Sequence, residues 1–538
     1  MRSRLVSTGL ALVLVTAACG GDDDDDAAPP AESSSGSTTA SEPDTSAATG
    51  DTATDPPTGG DPDGTFRYAT FYEPSRFDPH LAANAGDATA LFLAYDRLVH
   101  LSPDAEPVPG LAESWEYSDD GLTLTFHLRE GATFHDGAPV DAEAVKANLE
   151  RAKTLEGSIA ANDLSNVTAV EAVDPQTVAL TLTEPQASLV AILSDRHGAM
   201  ICPSAFEDPE LPRQPCGAGM YRLTEYLPGD RMIYERFEDY WEPEAVGAAR
   251  FEFLLIGDSQ ARMNALRTGE VDAASLEPRQ IEEAEANDLQ VDSRTTMIYQ
   301  QMYMNRAREP FSDINVRKAL NYAIDRQAIV DAIDVGQGEP NSQIFPEGFW
   351  AFNEEIGTDY YTYDPDRARE LLAESAYPDG VTFDMLLPTP GTPPALAEIL
   401  QAQFAEVGVT TTITQTPAQG VADLFFVQQE GVAMLGVWSG RQDPSMTTAL
   451  RWTSTGFSNP GGHTTPEIEQ LHAQALAVLD PDERAEAMHE LVAAGTEEAL
   501  DLVIYNPVSV QGASPAVTTM PTLIANGKVE FRGASVGS

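Results

Sequence analysis

Between Pro109 and Val145 the hydrophobic period changes from two to nearly four, which predicts two strands followed by a helix. Leu122, Leu124, Phe126 and Leu128 alternate with Thr123, Thr125, His127 and Arg129, the pattern of a strand with one buried face. Asp119-Asp120-Gly121 predicts the turn before it, because Asp tolerates the bend and Gly accepts positive φ. Asp136-Gly137 turns the chain again, and Asp141 predicts an N-cap for a helix carrying Val145 and Leu149. Val167 to Val173 and Thr177 to Thr183 alternate around Asp174-Pro175, which predicts a β-hairpin.

The same reading extends along the chain. Leu91 to Leu101 predicts a helix. Phe251 to Ile256 fits a buried strand, and Ala261 to Arg267 a short helix stopped by Gly269. Asp313 predicts the cap of one helix whose Val316, Leu320, Ala323, Ile324, Val330 and Ile333 share a face. A helix starts at Asp364-Pro365. Leu400 to Val407 followed by Val409 to Ile413 reads as helix then strand. Glu467 to Leu479 and Pro481 to Ala494 read as amphipathic helices, and Leu502 to Val510 as an apolar strand. Helices and strands in this mixture predict an α/β protein.

The ordered words GLAESWEYSDDGLTLTFHLREGATFHDGAPV resemble the signature of the family 5 solute-binding proteins, the dipeptide-, oligopeptide- and nickel-binding components of ABC importers. Tyr95 and Leu98, Gly217 to Tyr221, Gly269-Glu270-Val271-Asp272 and the run Phe311 to Arg326 are similar to further steps of that family, and the resemblance spans about 65 to 515. Ala218 and Met220 depart from the family's Gly-Thr-Gly-Pro-Tyr turn. The resemblance implies a two-lobed, periplasmic-binding-protein-like fold (type II) with mixed sheets and an extra subdomain inserted in lobe I. Lobe I is expected over 64–297 (subdomain about 95–215), lobe II over 298–500, and a return to lobe I over 501–538. It also implies capture of a peptide or other small solute by hinge closure and delivery to a membrane permease, without catalysis. A sensory or adhesion lipoprotein on the same fold is the alternative, and a secreted hydrolase a weaker one.

Charge narrows the partners. With 31 basic and 85 acidic residues the formal charge is −54, so nucleic acid is not an expected partner, since phosphate binding needs clustered Lys and Arg. At 42% hydrophobic residues and 538 positions the chain can build more than one core. Arg2, Arg4 and the apolar run Leu10 to Val15 read as a leader over 1–18, and Thr16-Ala17-Ala18-Cys19 resembles a bacterial lipobox in which Cys19 is lipidated; an ordinary cleaved leader is the alternative. Residues 19–63, with Asp22 to Asp26 and a Ser/Thr/Ala/Pro/Gly mixture, read as a flexible acidic tether. These features place a monomer on the outer face of the cytoplasmic membrane, held by lipid. Cys202 and Cys216 remain as an even pair in an exported protein, and a disulfide is expected; metal binding lacks a nearby histidine.

Candidate chemistry is sparse. In the segment Gly436 to Pro444, the family's peptide binders carry an aspartate three residues after the tryptophan, and here that place holds Arg441, with Asp443 two residues on. Arg441 suits a carboxylate or phosphate through its bidentate fork; an ordinary ion pair is the alternative. Trp438, Ser439 and Gly440 are ligand-contact candidates beside it, and Tyr72 and Glu73 are candidates from lobe I. Tyr303 reads equally as packing. The eight histidines are scattered, no nucleophile elbow or phosphate-cradling loop is present, and neither cofactor nor metal is expected.

Overall fold

A computed structural model of the chain describes residues 60–537 apart from 83, 85 and 390; the expected leader, Cys19 and nearly all of the tether lie outside the described residues. A twelve-stranded mixed sheet runs through the described body. From one edge, Val409–Pro417, Val381–Thr389 and Ala433–Trp438 pair in parallel. Tyr299–Met304 lies antiparallel to Ala433–Trp438 and to Leu502–Ala513. Beyond come Ala273–Leu276, Thr65–Thr70 and Arg250–Leu255, then the antiparallel Arg231–Arg236 and Tyr221–Leu227.

The Leu502–Ala513 strand joins two halves. Leu502 to Tyr505 pair with Tyr299–Met304, whereas Val508 to Ala513 pair with Gln290–Thr295. At the change of partner Asn506 donates from Nδ2 to the Thr296 and Ile298 carbonyls at 3.2 and 3.0 Å, so the buried backbone there stays satisfied. Each half has its own apolar packing: Phe66, Tyr68, Phe251 and Phe253 on one side, Met302, Leu320, Phe383 and Phe404 on the other. This is the two-lobed α/β architecture.

A separate four-stranded antiparallel sheet, Ala112–Tyr117, Thr123–Leu128, Thr177–Leu182 and Val167–Asp174, follows the predicted alternation. Leu124, Phe126 and Leu128 are buried, Gly121 takes φ +69°, and Asp141 caps its helix by accepting from Ala144 N at 3.0 Å. This sheet has no core of its own. Leu124, Phe126, Val178 and Leu180 belong to the same cluster as Phe66 and Phe251, which welds the insertion to its lobe.

Two expected helices are corrected. The one read over Leu91 to Leu101 spans Asp87–Ala94, and Val99–Leu101 is instead a strand against Pro107–Pro109. The Gly217-Ala218-Gly219 turn crosses the helix end so closely that a Cβ on Gly219 would lie 2.4 Å from the Ala94 carbonyl carbon. The helix that was to run past Ile333 is two, Ile314–Tyr322 and Arg326–Asp334. Asp325 caps the second by accepting from Ala328 N at 3.0 Å. At the break the buried Arg326 donates to the carbonyls of Asn321, Asn341, Tyr361 and Val503, and burial pushes its guanidinium down to about 9. The periodicity was continuous because both helices turn apolar sides to one core.

Cys202 and Cys216 are joined as a disulfide with Cα atoms 5.4 Å apart, worth roughly 3 kcal/mol in the chain-entropy model. Nearby, buried His135 accepts at Nδ1 from Gly217 N at 3.4 Å and presents Nε2 to Gly219 O at 3.0 Å, so the ring is neutral and protonated on Nε2. Burial pushes this ring down to about 4, and His80, also buried, to about 3. An unfolded histidine titrates near 6.5, so the unfolded chain takes up protons that these folded rings refuse. Their contribution is complete above pH 6.5 and is lost as pH falls toward 4. Melting temperatures should therefore begin to fall just below neutrality, and His135→Gln should flatten part of that slope. Equal slopes for the two proteins, read by calorimetry across this range, would refute the assignment.

Candidate functional site

The Ala433–Trp438 strand ends in the loop 439–442, after which Pro444 opens a helix. Asp443 caps that helix: Oδ1 accepts from Ser445 N at 2.9 Å, and Arg484 grips both carboxylate oxygens at 2.7 and 2.8 Å. Burial opposes the Asp443 charge, but Arg484 outweighs it and holds the carboxyl below its usual range. Asp443 is therefore already committed and does not stand free in the cleft.

Trp438 is buried and donates from Nε1 to Thr447 Oγ1 at 3.1 Å. Its ring carries two guanidinium groups, Arg451 at 5.2 Å and Arg441 at 5.3 Å from the centroid. Arg451 is paired with buried Asp501. Arg441 is different. Every other described arginine that is not exposed has a carboxylate or carbonyl partner, whereas Arg441 has no hydrogen bond or ion pair among the described residues, and its Nε is buried without a partner. Burial pushes its guanidinium below the ordinary arginine value, while Asp163 and Asp195 pull the other way.

The loop meets the other half of the molecule. Gly440 passes so close to Asn526 that a Cβ would lie 2.6 Å from its carbonyl oxygen, so this position requires glycine. Gln442 donates to the buried Asp195 carboxylate, which also pairs with Lys528 at 2.7 Å and lies 3.6 Å from Arg196. Burial alone would raise the Asp195 carboxyl, yet Lys528 and Arg196 hold it far below its usual range. Asn526 Nδ2 and Arg196 Nε, like Arg441 Nε, are buried without a hydrogen bond, although Arg196 Nε keeps its 3.6 Å ion pair with Asp195. Polar atoms from both halves thus converge on one seam.

Of the lobe I candidates, Tyr72 stacks on Phe71 at 4.0 Å and lines a cavity of about 370 Å³ at the ends of the Thr65–Thr70 and Ala273–Leu276 strands. Glu73 accepts from Tyr226 Oη at 2.8 Å and Gly229 N at 2.9 Å; its carboxylate is engaged by the turn of the Tyr221–Arg236 hairpin. Trp438, Ser439, Gly440 and Arg441 share one turn, whereas Glu73 is directed elsewhere. Asp195, Gln442, Asn526 and Lys528 were not legible as site residues, because Gln442 and Asp195 are 247 positions apart and neither lies in a motif. Asp136, Cys202 and Cys216 bring ligand-type atoms together, but both sulfurs are in the disulfide.

Two halves joined by crossing strands, with a polar seam between them, define a protein that closes on a solute. The family described as "Bacterial extracellular solute-binding proteins, family 5 Middle" matches residues 106–459. The glutathione-binding protein GsiB of Salmonella paratyphi A is 31% identical over 429 residues, covering 77% of this chain and 83% of that protein. Among solved structures, AgaA of A. tumefaciens R10 in complex with agropinic acid has a TM-score of 0.77 at 24% identity, covering 88% of this chain and 99% of that one. DppA of Helicobacter pylori in complex with the peptide STSA has a TM-score of 0.75 at 23% identity, covering 88% and 98%. The chain belongs to the family 5 extracellular solute-binding proteins. It is a solute-binding component of an ABC importer, not an enzyme; it takes up a small ligand or peptide and delivers it to the permease. No helix among the described residues is long and apolar enough to cross a membrane.

Proposed function

We propose that this chain captures a small solute or short peptide that bears an anionic group, and that Arg441 receives that group in the closed cleft. The observation that supports this is the half-buried guanidinium of Arg441, laid on Trp438, with its Nε enclosed and no hydrogen bond or ion pair from a described residue. A partly desolvated cation without a partner carries a cost, and an incoming carboxylate or phosphate relieves it with two parallel N–H···O bonds. Ser439 and Gly440 supply backbone beside it. Converting a mostly open population into a mostly closed one takes about 5.5 kcal/mol of preferential binding, which contacts from both lobes supply. GsiB is named for binding glutathione, and the AgaA and DppA structures hold agropinic acid and the peptide STSA, so small polar solutes of this size fit the reading. We further propose that Cys19 carries a lipid anchor, that 20–63 is the tether, and that the protein acts as a monomer at the outer face of the membrane.

Native mass spectrometry of protein purified without denaturation should find a co-purifying solute that is anionic at neutral pH. Small-angle scattering should show the emptied protein becoming more compact when that solute is returned. A neutral or cationic co-purifying solute, or identical scattering with and without it, refutes the proposal.

A further inference from the structure

Next to the Arg441 loop the wall of the second half is apolar. Tyr303, Val421, Ala422, Phe426 and Met434 line a cavity of about 300 Å³. Phe426 stands edge-on to Tyr303 at 5.7 Å and stacks on Phe457 at 5.6 Å, and Phe457 is 62% exposed. A row of three rings thus runs from the buried end of the strand pair to open solvent. Tyr303 ties this wall to the cation. Its Oη lies 3.4 Å from the Val437 carbonyl, and its ring sits 4.4 Å from the Arg451 guanidinium that shares the Trp438 ring with Arg441. An apolar cavity of about 150 Å³ takes a benzene ring, so this one has room for a phenyl or branched aliphatic group. A row of rings reaching solvent, beside a half-buried cation, complements a molecule that is anionic at one end and apolar at the other.

Building on the Arg441 reading, we infer that the solute is amphipathic: its acid group pairs with Arg441 while an aromatic or branched aliphatic group fills the Tyr303–Phe426 cavity. Phe426 and Ala422 are then specificity-determining residues, selecting among anions by the group attached to them.

Three probes separate the two parts of the claim: N-acetylphenylalanine, which carries acid and ring; N-acetylglycine, which carries the acid alone; and N-acetylphenylalaninamide, which carries the ring alone. Calorimetric titration of the emptied protein should show the first binding at least about tenfold more tightly than either of the others. Phe426→Ala should erase the preference over N-acetylglycine and leave the preference over the amide. Ala422→Leu, which narrows the cavity without removing a ring, should act in the same direction, so that a folding defect in one variant is distinguished by the other. N-acetylglycine binding as tightly as N-acetylphenylalanine overturns this inference and leaves the Arg441 reading standing. The amide binding as tightly as the acid overturns the Arg441 reading. No binding of any probe up to about 10 mM overturns both.

Discussion

Arg441→Ala is expected to weaken binding of the co-purifying solute by about a hundredfold while leaving the melting temperature of the empty protein unchanged or slightly higher. Charge-assisted hydrogen bonds contribute about 1.5–3 kcal/mol, and each 1.4 kcal/mol is a factor of ten in affinity. The second half of the expectation is the more discriminating one. An arginine that held the fold together would lose hydrogen bonds or ion pairs on truncation, but Arg441 has neither among the described residues and gives up only its contact with the Trp438 ring. Removing a half-buried cation that lacks an ion-pair partner relieves the empty protein of part of a desolvation cost. Arg441→Lys keeps the charge but not the planar fork and should fall between the two. Titration calorimetry with the purified solute, paired with thermal melting, measures both. An unchanged affinity, or a melting temperature several degrees lower, would place Arg441 in the scaffold instead.

The largest expected loss of stability belongs to Asp501. Its carboxylate takes Arg451 Nε at 3.0 Å and Trp452 Nε1 at 2.5 Å, with a further bond from Arg451 Nη2, and all three side chains are buried. Burial would lower the Arg451 value, but Asp501 outweighs it and raises the guanidinium well above the ordinary arginine range. Asp501→Asn keeps the shape and removes the charge, which leaves Arg451 buried and uncompensated. Breaking one side of such a pair costs about 3–5 kcal/mol. Denaturant unfolding should show a loss of this order, with a weaker effect on solute affinity through the Arg451 guanidinium under Trp438. A loss below about 1 kcal/mol would mean that water reaches Arg451 and replaces its partner.

Asp501 and Arg441 also mark how far the chain was readable before folding. The alternation Leu124, Phe126, Leu128 and the caps at Asp141 and Asp313 are local signals, and they placed strands and helices correctly. The helix end at Ala94 was not legible, because what stops it is a glycine turn more than a hundred positions away. The same holds for the break before Arg326, whose carbonyl partners come from four separate segments. At the site, Trp438 and Arg441 lie within one short word and were legible together. Asp195, Asn526 and Lys528 reach the same seam from two other stretches, with no periodicity or spacing to announce them. Glu73 was plausible by position, but Tyr226 and Gly229 had prior hold of its carboxylate.

The strand Leu502–Ala513 changes neighbours at Asn506 and Pro507, where its backbone pairing on that side lapses and the Asn506 side chain takes the Thr296 and Ile298 carbonyls instead. A hinge at this point bends where backbone pairing on that side has already lapsed, so the paired segments on either side can keep their ladder bonds. Little of the solute's binding energy is then diverted into remaking structure.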